Sequence, residues 1–264
     1  MLSQEKYVSK LRGHRVLIFG GSSGVGLAVA EGVIEFGGHA IISSSQQSRV
    51  DQAVERLNSR YPNAKSSVAG SACNLLSPNL ENSLHELFKK HGKVDHIIFT
   101  AGDSLYLPSI QDWSLDAIID AGRVRFFAPL IVTKVGSQYL NPGPRSSITF
   151  TGAALTQKPR PGWAVTTAYA SAMHGLVKAL AIDLKPARVN VVDPFATRTE
   201  MWGDKTEAEL EEIGKDIAKD TLTGIFAYAE DVAEAYLYTM KDANVTGTVI
   251  GTNSGWPLAS RSAE

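Results

Sequence analysis

The chain has little cysteine, no excess of charge of either sign and no long apolar runs. Cys73 is its single cysteine. One thiol can form neither an internal disulfide nor a cysteine-rich metal site, so a cytoplasmic protein without a bound metal is expected. The 26 Lys and Arg residues nearly balance the 27 Asp and Glu residues, and without a basic tract neither nucleic acid nor a membrane surface is expected as a partner. No apolar run approaches the roughly 18 residues of a membrane span.

Short apolar runs alternate instead with helical patterns along almost the whole chain. Strands are predicted near residues 16–19, 40–42, 67–72, 96–99, 148–150, 188–192 and 246–250. Helices are predicted over residues 25–36, 115–140, 168–184 and 231–240, with 115–140 disturbed at Gly122 and Pro129. Residues 50–57 and 84–88 are predicted to lie on two further helices. This alternation predicts one α/β domain over residues 1–264, a doubly wound parallel sheet of about seven strands with helices on both faces.

A polar, charged stretch over residues 200–223 interrupts the alternation. It is compatible with a solvated surface helix. It also follows the sixth predicted strand, and ligands of such sheets bind outside the carboxyl ends of the strands. A substrate lid is therefore expected over about residues 196–226, with Met201 and Trp202 as substrate contacts at its beginning.

A glycine-rich turn follows the first strand and opens the first helix. Glycines allow the backbone to approach a pyrophosphate, and the helix N-terminus offers unpaired N–H groups to the anion. A plain strand–helix turn is the alternative, but the position near the start of the alternation favours a dinucleotide site. Its predicted contacts are Gly20, Ser22, Ser23, Gly24, Val25 and Gly26.

The end of the second strand bears on the choice between NAD and NADP. An acidic residue there would bind the ribose 2′-hydroxyl and repel a 2′-phosphate. This chain has Ser44 and Ser45 at that point, with Arg49 shortly after. Hydroxyls and a guanidinium suit a phosphate, so NADP(H) is the expected cofactor, although Arg49 is equally an ordinary residue for a first helical turn.

The spacing G-x-x-x-G-x-G resembles that of the short-chain dehydrogenase/reductase family. Further matches follow in order over about residues 12–256: Thr100–Gly102, Arg188–Pro194, Thr199, Asp231–Ala233 and Thr246–Gly247. The resemblance implies a Rossmann fold and a homodimer or homotetramer assembled through the helix at 115–140. It also implies further cofactor contacts at Asn74, Leu75, Thr100, Ala101, Gly102, Thr151, Pro194, Phe195, Thr197 and Thr199, where Phe195 replaces the family's glycine.

The residues with which that family reduces carbonyls are missing. Tyr donates the proton, Lys lowers its pKa, Ser orients the carbonyl and Asn maintains a water relay. Aligned without gaps on Gly175–Ala181, the positions of Tyr, Lys, Ser and Asn are held by Thr166, Ala170, Gly152 or Ala153, and Arg125. Tyr169 is followed four residues later by Met173 rather than Lys, and His174 is expected to be structural. Arg125 and Thr166 are the remaining catalytic candidates.

This loss favours a particular chemistry. Hydride addition to a ketone generates an alkoxide, which needs a proton donor. Hydride addition to an iminium gives a neutral amine without one. The sequence therefore predicts NADPH-dependent reduction of an imine or iminium, and a site of this kind also suits a cyclisation that depends on positioning.

A second resemblance narrows the substrate. Arg125 and the element Pro159–Trp163 resemble a branch of the family found in fungal prenylated indole alkaloid biosynthesis, whose members are bifunctional reductases and cyclases. Arg160 stands where members that catalyse a Diels–Alder closure have aspartate. The resemblance implies an aromatic polycyclic small-molecule substrate in a secondary-metabolite pathway. Trp163 is expected to line its pocket, and Asp103 either pairs with a cationic amine or is a turn residue.

Two other functions are compatible with the same residues. The first is an ordinary carbonyl reductase with a relocated acid, Tyr169 or Thr166. The second is a non-catalytic NADP(H) sensor or scaffold, since a fold does not determine a function.

Overall fold

The computed structural model describes residues 5–260, so the ends of the predicted domain at 1–4 and 261–264 lie outside the described residues. The strands are β1 Arg15–Phe19, β2 His39–Ser44, β3 Val68–Ala72, β4 His96–Phe99, β5 Ser147–Thr151, β6 Arg188–Pro194, β7 Thr197–Arg198, β8 Ala227–Tyr228 and β9 Val249–Thr252. The α-helices are α1 Gly24–Glu35, α2 Gln47–Arg60, α3 Leu80–His91, α4 Leu115–Gly122, α5 Ala128–Gly136, α6 Ala164–Asp183, α7 Glu207–Lys219 and α8 Ala229–Lys241.

The main sheet has seven parallel strands in the order β3-β2-β1-β4-β5-β6-β9. The predicted doubly wound sheet is thereby confirmed. Because β1 pairs with both β2 and β4, the strand order reverses between β1 and β4, and ligands of such sheets bind at this point outside the carboxyl ends. The short strands β7 and β8 pair separately, β7 at the beginning of the segment predicted to form the lid and β8 directly after its end.

The two faces of the sheet bury two apolar clusters. Val16 and Ile18 of β1 face the cluster that α1, α2 and α8 cover, whereas Leu17 and Phe19 face the one that α3, α5 and α6 cover. Successive side chains of a strand point to opposite faces, so a strand covered on both sides must be apolar throughout. This explains why the strands could be predicted as continuous apolar runs.

The long helical region is interrupted by a π-helical turn at Arg123–Phe127, between α4 and α5. The disturbance predicted at Gly122 and Pro129 is thus confirmed, and it has a physical cause. Pro129 has no N–H, so an α-helical hydrogen bond to Arg125 cannot form there. The backbone N–H of Ala128 bonds instead to the carbonyl of Arg123, five residues back.

Two predicted boundaries are wrong. Helix α6 begins at Ala164 rather than at residue 168, because the burial of Val165 outweighs the low helix propensity of the β-branched run that starts there. The last strand begins at Val249 rather than at residue 246, because Gly247 has a φ of +67°, which is incompatible with an extended strand.

Two other features were searched for in residues 5–260. No helix there is long and apolar enough to cross a membrane. Nor does that part of the chain contain a group of three or more His, Cys, Asp and Glu side chains that could hold a metal ion.

Candidate functional site

The glycine-rich turn is pressed against the segment that follows β4. Gly20 has a φ of +82°, and a Cβ on it would lie 2.5 Å from the backbone nitrogen of Ala101. A Cβ on Gly26 would collide with the carbonyl of Gly20 and lie 2.5 Å from the Thr100 hydroxyl, which donates to the carbonyl of Phe19. The structure therefore brings the predicted contacts at 20–26 and 100–102 together at the switch point of the sheet.

A carboxylate lies at the N-terminus of α1. The backbone N–H of Gly24 donates to Oε2 of Glu200 at 2.8 Å. The methyl group of Thr199 lies 3.1 Å from where a Cβ of Gly24 would be. The beginning of the expected lid thus contacts the glycine-rich turn, and Glu200 acts as a stand-in for an anion where a pyrophosphate would bind. The residues present fit a dinucleotide.

We expect Glu200→Gln to tighten NADPH binding. The glutamine side-chain oxygen can still accept the hydrogen bond from the Gly24 N–H. The substitution removes a negative charge that competes with the pyrophosphate. Relief of one like-charge contact corresponds to about a fivefold lower Kd. Titration of NADPH fluorescence measures the change. Glu212→Gln, which alters an exposed α7 carboxylate paired with Lys215 at 2.6 Å, should leave Kd unchanged. Weaker binding by the Glu200 variant would contradict the expectation.

The expected 2′-phosphate contacts lie at the carboxyl end of β2. Ser44 is half-buried, and Ser45 and Arg49 are exposed, with Arg49 in the first turn of α2. Across from them, Oδ1 of Asn74 accepts the backbone N–H of Leu76 at 3.0 Å, which shapes the turn after β3 that also contains Leu75. All of these residues border the same edge of the sheet.

The other expected cofactor contacts have structural partners of their own. The Thr151 hydroxyl donates to the carbonyl of Phe99 at 2.7 Å, and the Thr197 hydroxyl donates to that of Phe195 at 2.9 Å. The ring of Phe195, which follows Pro194, stacks on Trp256 with the ring centroids 4.2 Å apart. These contacts fix the ends of β5 and β6 beside the switch point.

Arg125 forms an ion pair with Asp103 next to Gly102. Its Nε lies 2.9 Å from Oδ1 of Asp103, and its Nη2 donates to the backbone carbonyl of the same residue. The two side chains are 26% and 32% exposed. A Cβ on Gly102 would lie 3.4 Å from Nη2 of Arg125 and 3.5 Å from the Met201 methyl group. The structure therefore brings two predicted substrate residues, Asp103 and Met201, together with the catalytic candidate Arg125, and it gives Asp103 an internal cationic partner.

Tyr169 has a structural role in the packing of α6 against α4. Its hydroxyl donates to the carbonyl of Ile118 at 2.9 Å, and its ring packs near those of Phe126 and Phe127. A side chain on Gly122 would collide with the tyrosine ring. This arrangement argues against Tyr169 as a relocated acid.

Sequence reasoning missed the role of Asp193, the penultimate residue of β6. It is fully buried, and its Oδ2 lies 2.8 Å from Nε2 of His174 and 3.1 Å from the Thr156 hydroxyl. Burial raises the pKa of the Asp193 carboxyl, and His174 partly offsets that rise. An acidic residue directly after the apolar pair Val191 and Val192 of a buried strand was the available signal.

Trp163 lines a cleft of about 500 Å³ together with Arg160, Asp220 and Trp256. The guanidinium of Arg160 lies 4.9 Å from the ring centroid of Trp256 and 3.3 Å from the Asp220 carboxylate. Trp202 is not in this cleft: its indole N–H donates to the carbonyl of Thr197 at 2.8 Å. Of the two predicted tryptophans, the cleft therefore contains one.

Comparison with known proteins identifies the family to which the chain belongs. A family model described as an SDR-like Rossmann domain matches residues 7–258. The short-chain dehydrogenase/reductase fsr5 of Gibberella fujikuroi is 42% identical, over 98% of this chain and 100% of that protein. The short-chain dehydrogenase/reductase malC of Malbranchea aurantiaca is 41% identical, over 94% and 96%. A structure of MalC reductase/Diels-Alderase from that organism superposes with a TM-score of 0.88 at 40% identity, over 96% of this chain and 99% of that one.

Proposed function

Because the chain belongs to the short-chain dehydrogenase/reductase family of oxidoreductases, we propose that it reduces the C=N bond of an imine or iminium with NADPH. One observation carries the proposal. The glycine-rich turn that holds the cofactor in this family is intact and closely packed against Thr100 and Ala101, whereas Thr166 and Ala170 stand at the positions of the proton donor and its lysine. A site that delivers hydride without an acid suits a substrate that is already cationic.

The residues of the chain divide the work in the proposed reaction. The bound cofactor supplies a hydride. Gly20–Gly26 and Thr100–Gly102 hold the cofactor at the switch point, and the lid residue Met201 closes over Gly102 and excludes water. Arg125 binds a carbonyl oxygen of the substrate through guanidinium N–H groups that Asp103 orients.

NADP(H) is the cofactor that the proposal specifies. Ser44, Ser45 and Arg49 offer two hydroxyls and a guanidinium at the end of β2, where an NAD enzyme has an acidic side chain. Arg49 is exposed in the first turn of α2, where its guanidinium is accessible to a phosphate.

The substrate class in the proposal is an aromatic, indole-derived polycyclic metabolite. The cleft beside β6 is lined by Trp163 and Trp256, and Phe195 stacks on the second of these. Aromatic rings offer large flat surfaces for stacking with a polycyclic ligand. The Malbranchea relative is described as a reductase and Diels-Alderase, which supports a cyclisation as a second activity here. Arg160, which extends over the Trp256 ring, would then contact the closing substrate.

The proposal also includes a homodimer or homotetramer in the cytoplasm. Large apolar side chains are exposed on α4, the π-helical turn and α6: Ile119, Phe127 and Ile182 are 39%, 41% and 68% exposed. Apolar side chains exposed on neighbouring helices are typical of an interface between copies.

Oxidation of NADPH with matched substrates tests the function. The iminium is N-methyl dihydro-β-carbolinium, which contains an indole, and the ketone is tetrahydrocarbazolone, which has a similar tricyclic frame. We expect kcat/KM for the iminium to exceed that for the ketone by about 100-fold or more, which is the contribution of a missing proton donor. NADH should be the poorer reductant by at least about tenfold, since it lacks the phosphate that Arg49 binds.

Three outcomes are informative. Equal rates for ketone and iminium would mean that an acid serves the ketone, and the proposal would be wrong. Binding of NADPH without turnover of either substrate would favour the sensor or scaffold. A tricyclic amine of the expected mass, with turnover of the iminium alone, would support the proposal.

A further inference from the structure

The pair formed by His174 and Asp193 has no part in the proposed hydride transfer. It lies at the carboxyl edge of the sheet, where β6 meets α6. Nε2 of His174 lies 2.8 Å from Oδ2 of Asp193, and the histidine side chain is 24% exposed while that of Asp193 is fully buried. A buried carboxylate is costly unless it is paired, and His174 is the ionisable partner.

The second carboxylate oxygen faces a position that is important in this family. Oδ1 of Asp193 is buried and accepts no hydrogen bond of ideal geometry among residues 5–260, although the nearby backbone N–H of Ala153 lowers the pKa of the carboxyl. A Cβ on Gly152 would collide with it, and Gly152 is one of the two residues aligned with the serine that orients the carbonyl. Burial raises the pKa of Asp193. A perturbed carboxyl beside the position of a lost catalytic residue is a feature of functional sites.

His174 also lies on the helix face that carries the lost proton relay. It follows Ala170 by four residues and Thr166 by eight, so the three share one face of α6. Helical side chains lean towards the N-terminus of their helix. The imidazole therefore leans towards the turn of Ala170, whose methyl group leaves room that the family's lysine would fill.

We propose that His174 is the proton donor for neutral imine substrates and that Asp193 is its positioning residue. The inference rests on the proposed function and extends it from iminium ions to imines. Asp193 holds Nε2 and stabilises the imidazolium, while Nδ1, which has no hydrogen bond among the described residues, gives up the proton. The exposed part of the ring allows the proton to be replaced from solvent.

The proposed step balances. The imidazolium transfers one proton to the lone pair of the imine nitrogen, which forms an N–H bond and gives an iminium and a neutral imidazole. The carbon of the C=N bond then accepts the hydride, and the π electrons move to nitrogen to give the amine. An imine nitrogen can take the proton from imidazolium in a step that precedes hydride transfer, so the donor need not lie beside the nicotinamide. A ketone oxygen becomes basic only while the hydride is being transferred, so its donor must lie there.

Two substrates that differ by one methyl group test the proposal. Dihydro-β-carboline is an imine that needs a proton, and its N-methyl iminium salt does not. In His174→Gln the side-chain amide can still reach Asp193. At a pH about two units above the pKa of the free imine, where under about 1% of it is protonated by solvent, we expect this variant to reduce the imine about 100-fold more slowly. Its rate with the iminium should stay within about threefold of the original protein.

The control is Lys178→Gln, an exposed substitution on the same helix, which should change neither rate. Equal losses on both substrates in His174→Gln would show a merely structural role and overturn the inference, as would no loss on either. Turnover of the iminium but not of the imine by the original protein would overturn the inference and leave the proposed function standing. Turnover of neither substrate would overturn both.

A spectroscopic measurement on the cofactor-free protein provides a second readout. An imidazole N–H held by a buried carboxylate gives a proton resonance far downfield. We expect this resonance in the original protein and in Lys178→Gln, and its loss in both His174→Gln and Asp193→Asn. Asp193→Asn should also slow reduction of the imine but not reduction of the iminium. A resonance that persists in Asp193→Asn would overturn the pairing on which the proposal depends.

Discussion

Gly26→Ala is expected to abolish NADPH binding and to destabilise the protein. The added methyl group would collide with the carbonyl of Gly20 and lie 2.5 Å from the Thr100 hydroxyl. Neither the Gly20 backbone nor the half-buried Thr100 hydroxyl can move without separating the glycine-rich turn from the segment after β4. Such overpacking costs about 1–3 kcal/mol. Fluorescence titration should detect no NADPH binding at concentrations that saturate the original protein, and thermal unfolding should occur at a lower temperature.

Gly175→Ala is the matched control. Gly175 is an exposed position in the middle of α6, and a Cβ there would meet nothing within 4 Å. Alanine is a better helix former than glycine by about 0.5–1 kcal/mol, so this variant should unfold at a slightly higher temperature and bind NADPH as before. Normal cofactor affinity in Gly26→Ala would mean that the turn does not hold the dinucleotide.

Arg125→Ala is expected to lower kcat/KM for a carboxamide-bearing N-methyl dihydro-β-carbolinium by about 10- to 150-fold. A hydrogen bond to a charged group contributes about 1.5–3 kcal/mol, and loss of the guanidinium also leaves the Asp103 carboxylate without its cation. For the same iminium without the carboxamide, kcat/KM should fall much less in Arg125→Ala, because this substrate has no carbonyl oxygen for Arg125 to bind. Steady-state oxidation of NADPH measures both ratios.

Arg123→Ala separates this effect from damage to the π-helical turn. Arg123 lies two residues away in the same turn, and its Nε pairs with Asp120 at 2.7 Å on the surface, where the two side chains are 56% and 65% exposed. Exposed pairs contribute little to stability, so this variant should reduce both substrates normally. If Arg123→Ala and Arg125→Ala slowed the reaction equally, Arg125 would have no specific role in substrate binding.

Local pattern determined most of the fold. The apolar runs of β1 and β4 to β6 are buried on both faces, and such runs can be recognised without knowledge of their neighbours. Gly20–Gly26 could be assigned for a similar reason, because its spacing serves a turn whose geometry is local. The predictions failed where burial overrode propensity, as at Val165 in the first turn of α6, and where Gly247 delays the start of the last strand.

The absence of the proton relay was also predicted from the sequence. The spacing along α6 aligns Thr166 and Ala170 with the positions of Tyr and Lys. The pair that we propose as a proton donor could not be predicted in this way. Asp193 and Gly152 are 41 residues apart in the chain, and only the pairing of β5 with β6 brings them together. Because Gly152 has no side chain, it leaves the space that the Asp193 carboxylate occupies.

Tertiary structure likewise decided the partners of charged and aromatic side chains. The sequence predicted that Asp103 would pair with a cationic amine or be a turn residue. In the structure its partner is Arg125, which lies in the π-helical turn. The sequence predicted Trp163 and Trp202 as contacts of one substrate, and only Trp163 lines the cleft in the structure. Backbone conformation depends largely on neighbours in sequence, and so the elements could be predicted from the sequence. Ion pairs and stacking depend on the distance between side chains from different elements, which only the assembled sheet and helices determine.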